Sequence, residues 1–188
     1  ENDNRIIVIP GANSRCLPED LDQNQALVQH GDLVLLQLEI PIQTVEHAVR
    51  LAKTYQKKVI LNPAPAAELS DELLQQVDYI TPNRSELSLL TGQTIRDDQD
   101  LEEAMAALMD RGPKHIITTL GSEGAAFMDH KRKLVKISGY QVSVVDTTGA
   151  GDAFNAALAY SIAEGGSLRE AVEFAVKVSA LKVTKLGA

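Results

Sequence analysis

Lys58-Val59-Ile60-Leu61, Asn62-Pro63-Ala64-Pro65-Ala66, Ser70-Asp71-Glu72-Leu73-Leu74 and Val77-Asp78-Tyr79-Ile80 follow one another in a single stretch, and their order decides the fold. The first run is short, apolar and partly β-branched, so it reads as a strand. The prolines end it. Ser70 then stands at a helix N-cap position with acidic residues behind it. The fourth run is again strand-like. Strand, helix and strand in alternation call for a mainly parallel sheet covered by helices.

The same alternation extends in both directions. Upstream, Asp32 to Leu38 reads as a strand, and Val45, Ala48, Val49 and Ala52 recur at helical spacing. Arg5 to Ile9 reads as an earlier strand. Downstream, a helix through Ser85 to Leu90 ends at Gly92, and Leu101, Ala104, Met105, Leu108 and Met109 mark an amphipathic helix closed by Gly112-Pro113. His115 to Leu120 is the next strand. Ala125 to Met128 and Leu134 to Ile137 flank the charged segment Asp129 to Lys133 and read as an antiparallel pair, with a further β run over Val142 to Val145. Two long helices, about Ala150 to Glu164 and Ser167 to Lys185, complete the pattern. The expectation is one α/β domain with three layers, αβα.

Composition narrows the function. Among 188 residues, 44% are hydrophobic and 23% charged, a globular balance. The net charge of -8 and pI near 5.0 disfavour nucleic acid and anionic lipid as partners. No apolar run is long enough to span a bilayer. A lone cysteine, Cys16, forms no internal disulfide and fits a reducing, cytoplasmic setting. Glu1 in place of methionine, and a helical pattern running to Gly187-Ala188, read as the ends of a chain cut from a longer one.

Ligands of open parallel sheets bind beyond the carboxyl ends of the strands. Three unusual loops fall there: Asn62 to Ala66, Thr81-Pro82-Asn83-Arg84-Ser85-Glu86, and Gly121-Ser122-Glu123-Gly124. Each alone does no more than turn the chain, but together they predict a single cleft. The sharpest segment is Asp146-Thr147-Thr148-Gly149-Ala150-Gly151-Asp152-Ala153-Phe154, a strand end leading into a helix. Small residues there leave helix-start amides free to face an anion. A carboxylate at the same mouth, Asp152, either caps the helix or accepts a proton from a hydroxyl attacking phosphorus. Two other nucleotide motifs fail. No Gly-Lys pair exists for a P-loop, and Phe154 stands where the dinucleotide fingerprint needs a third small residue. His30, His47, His115 and His130 lack metal-ligand spacing, with one another or with Cys16.

The segment Asp146 to Phe154 resembles the C-terminal signature of the ribokinase family of carbohydrate and nucleoside kinases. Asn83-x-x-Glu86 is similar to that family's magnesium motif, and Gly121 to Gly124 to its ATP loop; Asn62 to Ala66 and Gly11-Ala12-Asn13 extend the likeness. The resemblance runs from Arg5 to Ala188, without the family's N-terminal strands, Gly-Gly sugar motif and most of its lid. It implies that residues 1–188 are the C-terminal part of a single ribokinase-like α/β domain.

The resemblance further implies an ATP-dependent kinase acting on a sugar, first of all on the 5-hydroxyl of D-ribose. Another sugar, a nucleoside or a vitamin alcohol stays open as acceptor, as does a nucleotide-binding fragment without catalysis. Asp152 is the implied base and a sugar contact, and Gly149, Ala150 and Gly151 the anion hole. Asn83, Thr119, Leu120, Gly121, Ser122, Glu123, Gly124, Gly151, Asp152 and Val176 are implied at ATP, and Glu39 at the sugar. Val176 replaces a polar side chain found in some relatives near adenine. Glu86 is implied to hold Mg²⁺ through water. Asp146, Thr148 and the carbonyls of Lys182, Lys185 and Gly187 are implied ligands of a monovalent cation such as K⁺. A homodimer is implied at full length, and the isolated 188-residue chain is expected to be inactive.

Overall fold

Alternation of apolar side chains along the strands divides the protein into two cores, one on each face of a six-stranded sheet. The structure is a computed structural model and describes residues 9–188, so the strand expected over Arg5 to Ile9 lies outside the described residues apart from Ile9. Element order is α1 (Pro18–Gln23), α2 (Gln25–His30), β1 (Leu33–Leu36), α3 (Ile42–Thr54), β2 (Lys58–Leu61), α4 (Asp71–Leu74), β3 (Tyr79–Ile80), α5 (Arg84–Thr91), α6 (Asp98–Asp110), β4 (His115–Thr119), β5 (Gly124–Met128), β6 (Leu134–Ser138), α7 (Ala150–Ala163) and α8 (Leu168–Lys182). Short 3₁₀ turns occupy Gly11–Arg15 and Gly121–Glu123.

The strands lie in chain order. β1 to β4 are parallel, while β5 and β6 add an antiparallel hairpin beyond β4. On β2, Val59 and Leu61 face the core shared with α3, α5 and α6, and Ile60 faces α7 and α8. Ile116 and Ile117 on β4 split in the same way. A pleated strand points successive side chains to opposite faces, so a strand buried on both sides reads as a continuous apolar run. The three-layer αβα arrangement therefore stands as expected.

Capping sets the helix starts. Ser70 accepts from the Leu73 amide, and Asp97 from that of Asp100. Ser167 with Glu170 forms a reciprocal capping box on α8. At the amino end of the sheet, the buried Asp78 carboxylate accepts from Lys53, from Lys114 at 2.7 Å and from the Val59 amide at 2.8 Å. Burial alone would raise its pKa, but these donors hold it below the ordinary value of 3.8.

Two features differ from the sequence expectation. Residues 142–145 form no strand; the Val145 and Asp146 amides both donate to the Val183 carbonyl, at 2.8 and 3.2 Å. A β-branched run is satisfied here by the end of α8 instead of a ladder, an instance of context overriding β propensity. Helices α1 and α2 carry no buried residue, so they lack the apolar periodicity that would have signalled them. Among the described residues, no helix is long and apolar enough to cross a membrane.

Candidate active site

The three loops singled out in the sequence meet at the carboxyl edge of the sheet. The Asn62 side chain donates to the Thr81 carbonyl at 3.1 Å, and the Thr119 amide to the Pro82 carbonyl at 3.1 Å. Asn83 and Thr119 form an isolated parallel bridge that extends the β3–β4 pairing into the loops. From the start of α5, Arg84 reaches Glu123 at 2.9 Å and so ties that helix to the 3₁₀ turn Gly121–Glu123. Parallel strands end at similar heights, which makes the convergence a consequence of register.

Between this edge and α7–α8 lies a cleft of about 330 Å³, within the range of about 300–1,000 Å³ that holds small ligands. Its floor is Thr119, Gly121, Ser122 and Gly124, from the loop after β4. Ala150, Gly151 and Phe154 of α7 face that loop, and Val176 of α8 closes one side. Composition alone did not point to the opposite wall, formed by the loop residues Gly139 to Val142 and Val144. Ser179, Ala180 and Val183 were also missed. Their signal was the small-residue face of α8 opposite the Gly-rich signature. The walls are mainly apolar and suit a flat ring.

Gly149 starts α7 at φ 75, a left-handed conformation that glycine adopts without penalty. No side chain caps this helix; the Ala150 amide donates to the Thr147 carbonyl at 3.1 Å, and the Gly151 and Asp152 amides remain available to an anion. A Cβ built on Gly151 would meet nothing within 4 Å. Asp152 is exposed in the first turn and, among the described residues, forms no hydrogen bond or ion pair. Capping therefore does not account for it. Behind this turn, buried Asn155 accepts from Thr81 Oγ1 at 2.6 Å and donates to the Gly151 carbonyl at 3.0 Å.

Asn83 and Glu86 hold each other. The Asn83 amide and Nδ2 each donate to a Glu86 oxygen at 2.8 Å, and the Glu86 amide donates back to Asn83 Oδ1 at 2.9 Å. Burial raises the Glu86 pKa above 4.5, and the Asn83 amide opposes it. Each carboxylate oxygen keeps acceptor capacity. A divalent ion carried by a nearby phosphate, with water between, fits this buried acid; among the described residues, no cluster of three acidic, histidine or cysteine side chains could bind a metal directly.

Several expected contacts fall elsewhere. Leu120 is buried in the core, and Glu123 turns to Arg84 and Lys136. Neither side chain lines the cleft, because Leu120 packs into the core on the other face of the sheet and Glu123 is held by two cations. Asn83 and Asp152 lie at its edge and not in its lining. Glu39 is exposed just past β1, where the Leu38 amide donates to the Ala64 carbonyl at 2.8 Å. Around Asp146, nitrogen donors meet three of its oxygens. Thr148 N–H lies 2.9 Å from Oδ1, Gly187 N–H 2.9 Å from Oδ2, and Lys182 Nζ 3.2 Å from the carbonyl. The Lys182 carbonyl already accepts from the Lys185 amide at 3.0 Å.

The family described as pfkB family carbohydrate kinase matches residues 1–188. A ribokinase of Haemophilus influenzae is 41% identical over 187 residues, which is all of this chain and 61% of that protein. A deoxyribokinase of Salmonella typhi is 37% identical over 185 residues, 98% of this chain and 60% of the relative. The structure of Arabidopsis thaliana ribokinase complexed with ribose and ATP superposes with a TM-score of 0.91 at 35% identity, covering 99% of this chain and 61% of the other. The chain thus spans about three fifths of the length of these relatives.

Proposed function

The chain belongs to the pfkB family of carbohydrate kinases, and from that premise we propose that it carries the nucleotide half and the catalytic base of an ATP-dependent sugar kinase, with ribose as the acceptor. One observation carries the reading: Asp152 stands free beside an uncapped helix start with open space in front of Gly151. An uncapped N-terminus stabilises charge building on a transferring phosphoryl group, and the adjacent carboxylate takes the proton of the attacking hydroxyl. Adenine would occupy the apolar part of the cleft against Val176, and the phosphates would run toward Gly149–Gly151. Glu39, exposed beyond β1 at the same edge, would meet the sugar.

Asn83 and Glu86 would hold a magnesium ion through water, and the ion would neutralise charge on the phosphates. The residues themselves then do three things. The helix start binds the phosphoryl oxygens, Asp152 receives the proton, and the apolar walls exclude water from the base-binding end. Ribose is favoured by the ribokinase names among the relatives, and 2-deoxyribose is the second acceptor because one relative is named deoxyribokinase. We further propose that residues 1–188 are the C-terminal part of one ribokinase-like domain.

The test has two arms. In an enzyme of full family length containing this chain, ATP-dependent formation of ribose phosphate is expected, with 2-deoxyribose as the comparison acceptor. The 188-residue chain alone is expected to bind ATP without turnover. Absence of phosphoryl transfer to either pentose in the long enzyme would overturn the kinase reading.

A further inference from the structure

A single buried amide links the sheet to the first turn of α7. Asn155 is 2% exposed and lies among Phe154, Ala157, Leu158 and Ile162. Asparagine is a poorer helix former than alanine, and a buried amide costs stability unless it is hydrogen-bonded. Two partners satisfy it here. The Gly151 carbonyl can only accept, so it takes the Asn155 Nδ2–H at 3.0 Å, and Oδ1 is left to the Thr81 hydroxyl at 2.6 Å. Thr81 is itself fixed to the strand beside it: its amide donates to the Leu61 carbonyl at 3.0 Å, and its carbonyl accepts from Asn62 Nδ2 at 3.1 Å. The Gly151 carbonyl and the Asp152 N–H belong to one planar peptide unit, so a bond that fixes the one aims the other. That Asp152 amide is one of the two left unengaged at the helix start.

We propose that Asn155, held by Thr81, is a positioning residue for phosphate binding: through the Gly151 carbonyl it aims and polarises the Asp152 amide toward an incoming anion. A donor placed on a peptide carbonyl strengthens that peptide's own N–H as a donor, and a low local dielectric enlarges the effect. The other buried side chains of α7 named above are apolar, so packing alone asks for no amide at this position. Thr81 stands two positions before Asn83, so the same chain of bonds also ties the helix start to the loop that carries Asn83 and Glu86. The inference rests on the kinase reading for the identity of the anion, but its readout requires no phosphoryl transfer.

The experiment titrates the 188-residue chain with ATP, with inorganic tripolyphosphate and with adenosine, by calorimetry. Tripolyphosphate reports on the helix start, and adenosine on the apolar walls. Thr81→Val and Asn155→Leu are each expected to weaken ATP and tripolyphosphate by about tenfold, the lower end of what one hydrogen bond to a charged group is worth. Adenosine affinity should not change. Thr81→Ser keeps the hydroxyl and should bind both anions as the parent does. A purely structural role would lower the melting temperature without separating tripolyphosphate from adenosine, so that separation is the measure. Thr81→Val keeps the side-chain shape and decides the outcome if Asn155→Leu does not fold. Unchanged tripolyphosphate affinity would overturn the proposal, as would an equal loss for adenosine or a parent chain that binds no tripolyphosphate. The kinase reading fails separately, when an enzyme of full family length binds tripolyphosphate but transfers no phosphoryl group to either pentose.

Discussion

Thr81 Oγ1 donates to Asn155 Oδ1 at 2.6 Å across 74 positions of sequence, with both residues buried. The bond joins the loop after β3 to the second turn of α7, and Asn155 passes the restraint to the Gly151 carbonyl. The loop after β3 and the start of α7 are thereby held at a fixed separation.

Thr81→Val keeps the shape and leaves Asn155 Oδ1 without its donor. The expected loss is about 1–3 kcal/mol of unfolding free energy, the usual cost of a buried unpaired polar atom. Urea titration of the single variants and of Thr81→Val with Asn155→Leu should show coupling. Additive losses would mean that the two side chains act independently.

Asp152→Asn preserves size but takes no proton at neutral pH. In an enzyme of full family length, turnover should fall by about 10²–10⁴-fold with ATP affinity little changed. Because Asp152 caps nothing in this structure, the melting temperature should not drop.

Gly151→Ala separates space from stability. The added methyl meets no protein atom within 4 Å and lies in a helix, so stability should hold or rise by about 0.5–1 kcal/mol. The same methyl enters the space proposed for the phosphates, so ATP binding measured by calorimetry should weaken. Undiminished affinity would move the anion site elsewhere.

Glu86→Gln and Asn83→Ala both disturb the mutual cap of α5. Asn83→Ala should cost about 0.5–2 kcal/mol in stability. Both should raise the magnesium concentration for half-maximal rate, read from a magnesium titration at saturating ATP. Unchanged titrations would leave the pair with a capping role only.

Asp78 sets an acid limit to stability. Its folded pKa is below 3.8, so its contribution is present above that value and is lost as pH falls through the lowered one. Glu86 acts in the opposite sense, because burial raises its pKa above 4.5 and its contribution fades as pH rises through the raised value. Melts of Asp78→Ala against the parent should differ by about 1–3 kcal/mol at neutral pH, with the difference shrinking below pH 3.8 as pH falls toward the lowered folded value. A constant difference across that window would refute the ionic assignment.

The sequence by itself determined the layers and the edge that carries function. Strands such as Lys58–Leu61 and the caps at Ser70 and Gly92 were legible because burial pattern and end chemistry are local. The placing of three loops at one edge followed from parallel topology. Other features needed the tertiary structure, because they depend on partners far along the chain. Residues 142–145 look like a strand until the Val183 carbonyl takes the amides of Val145 and Asp146. Asn155 reads as a helix residue until Thr81 meets it, and Lys182 as a solvated cation until it lies on Asp146. Leu120 and Glu123 sit beside cleft residues in sequence, yet the core claims one and two basic side chains the other. Sequence neighbours share a backbone path, whereas side-chain direction and long-range donors are settled only when the layers close over one another.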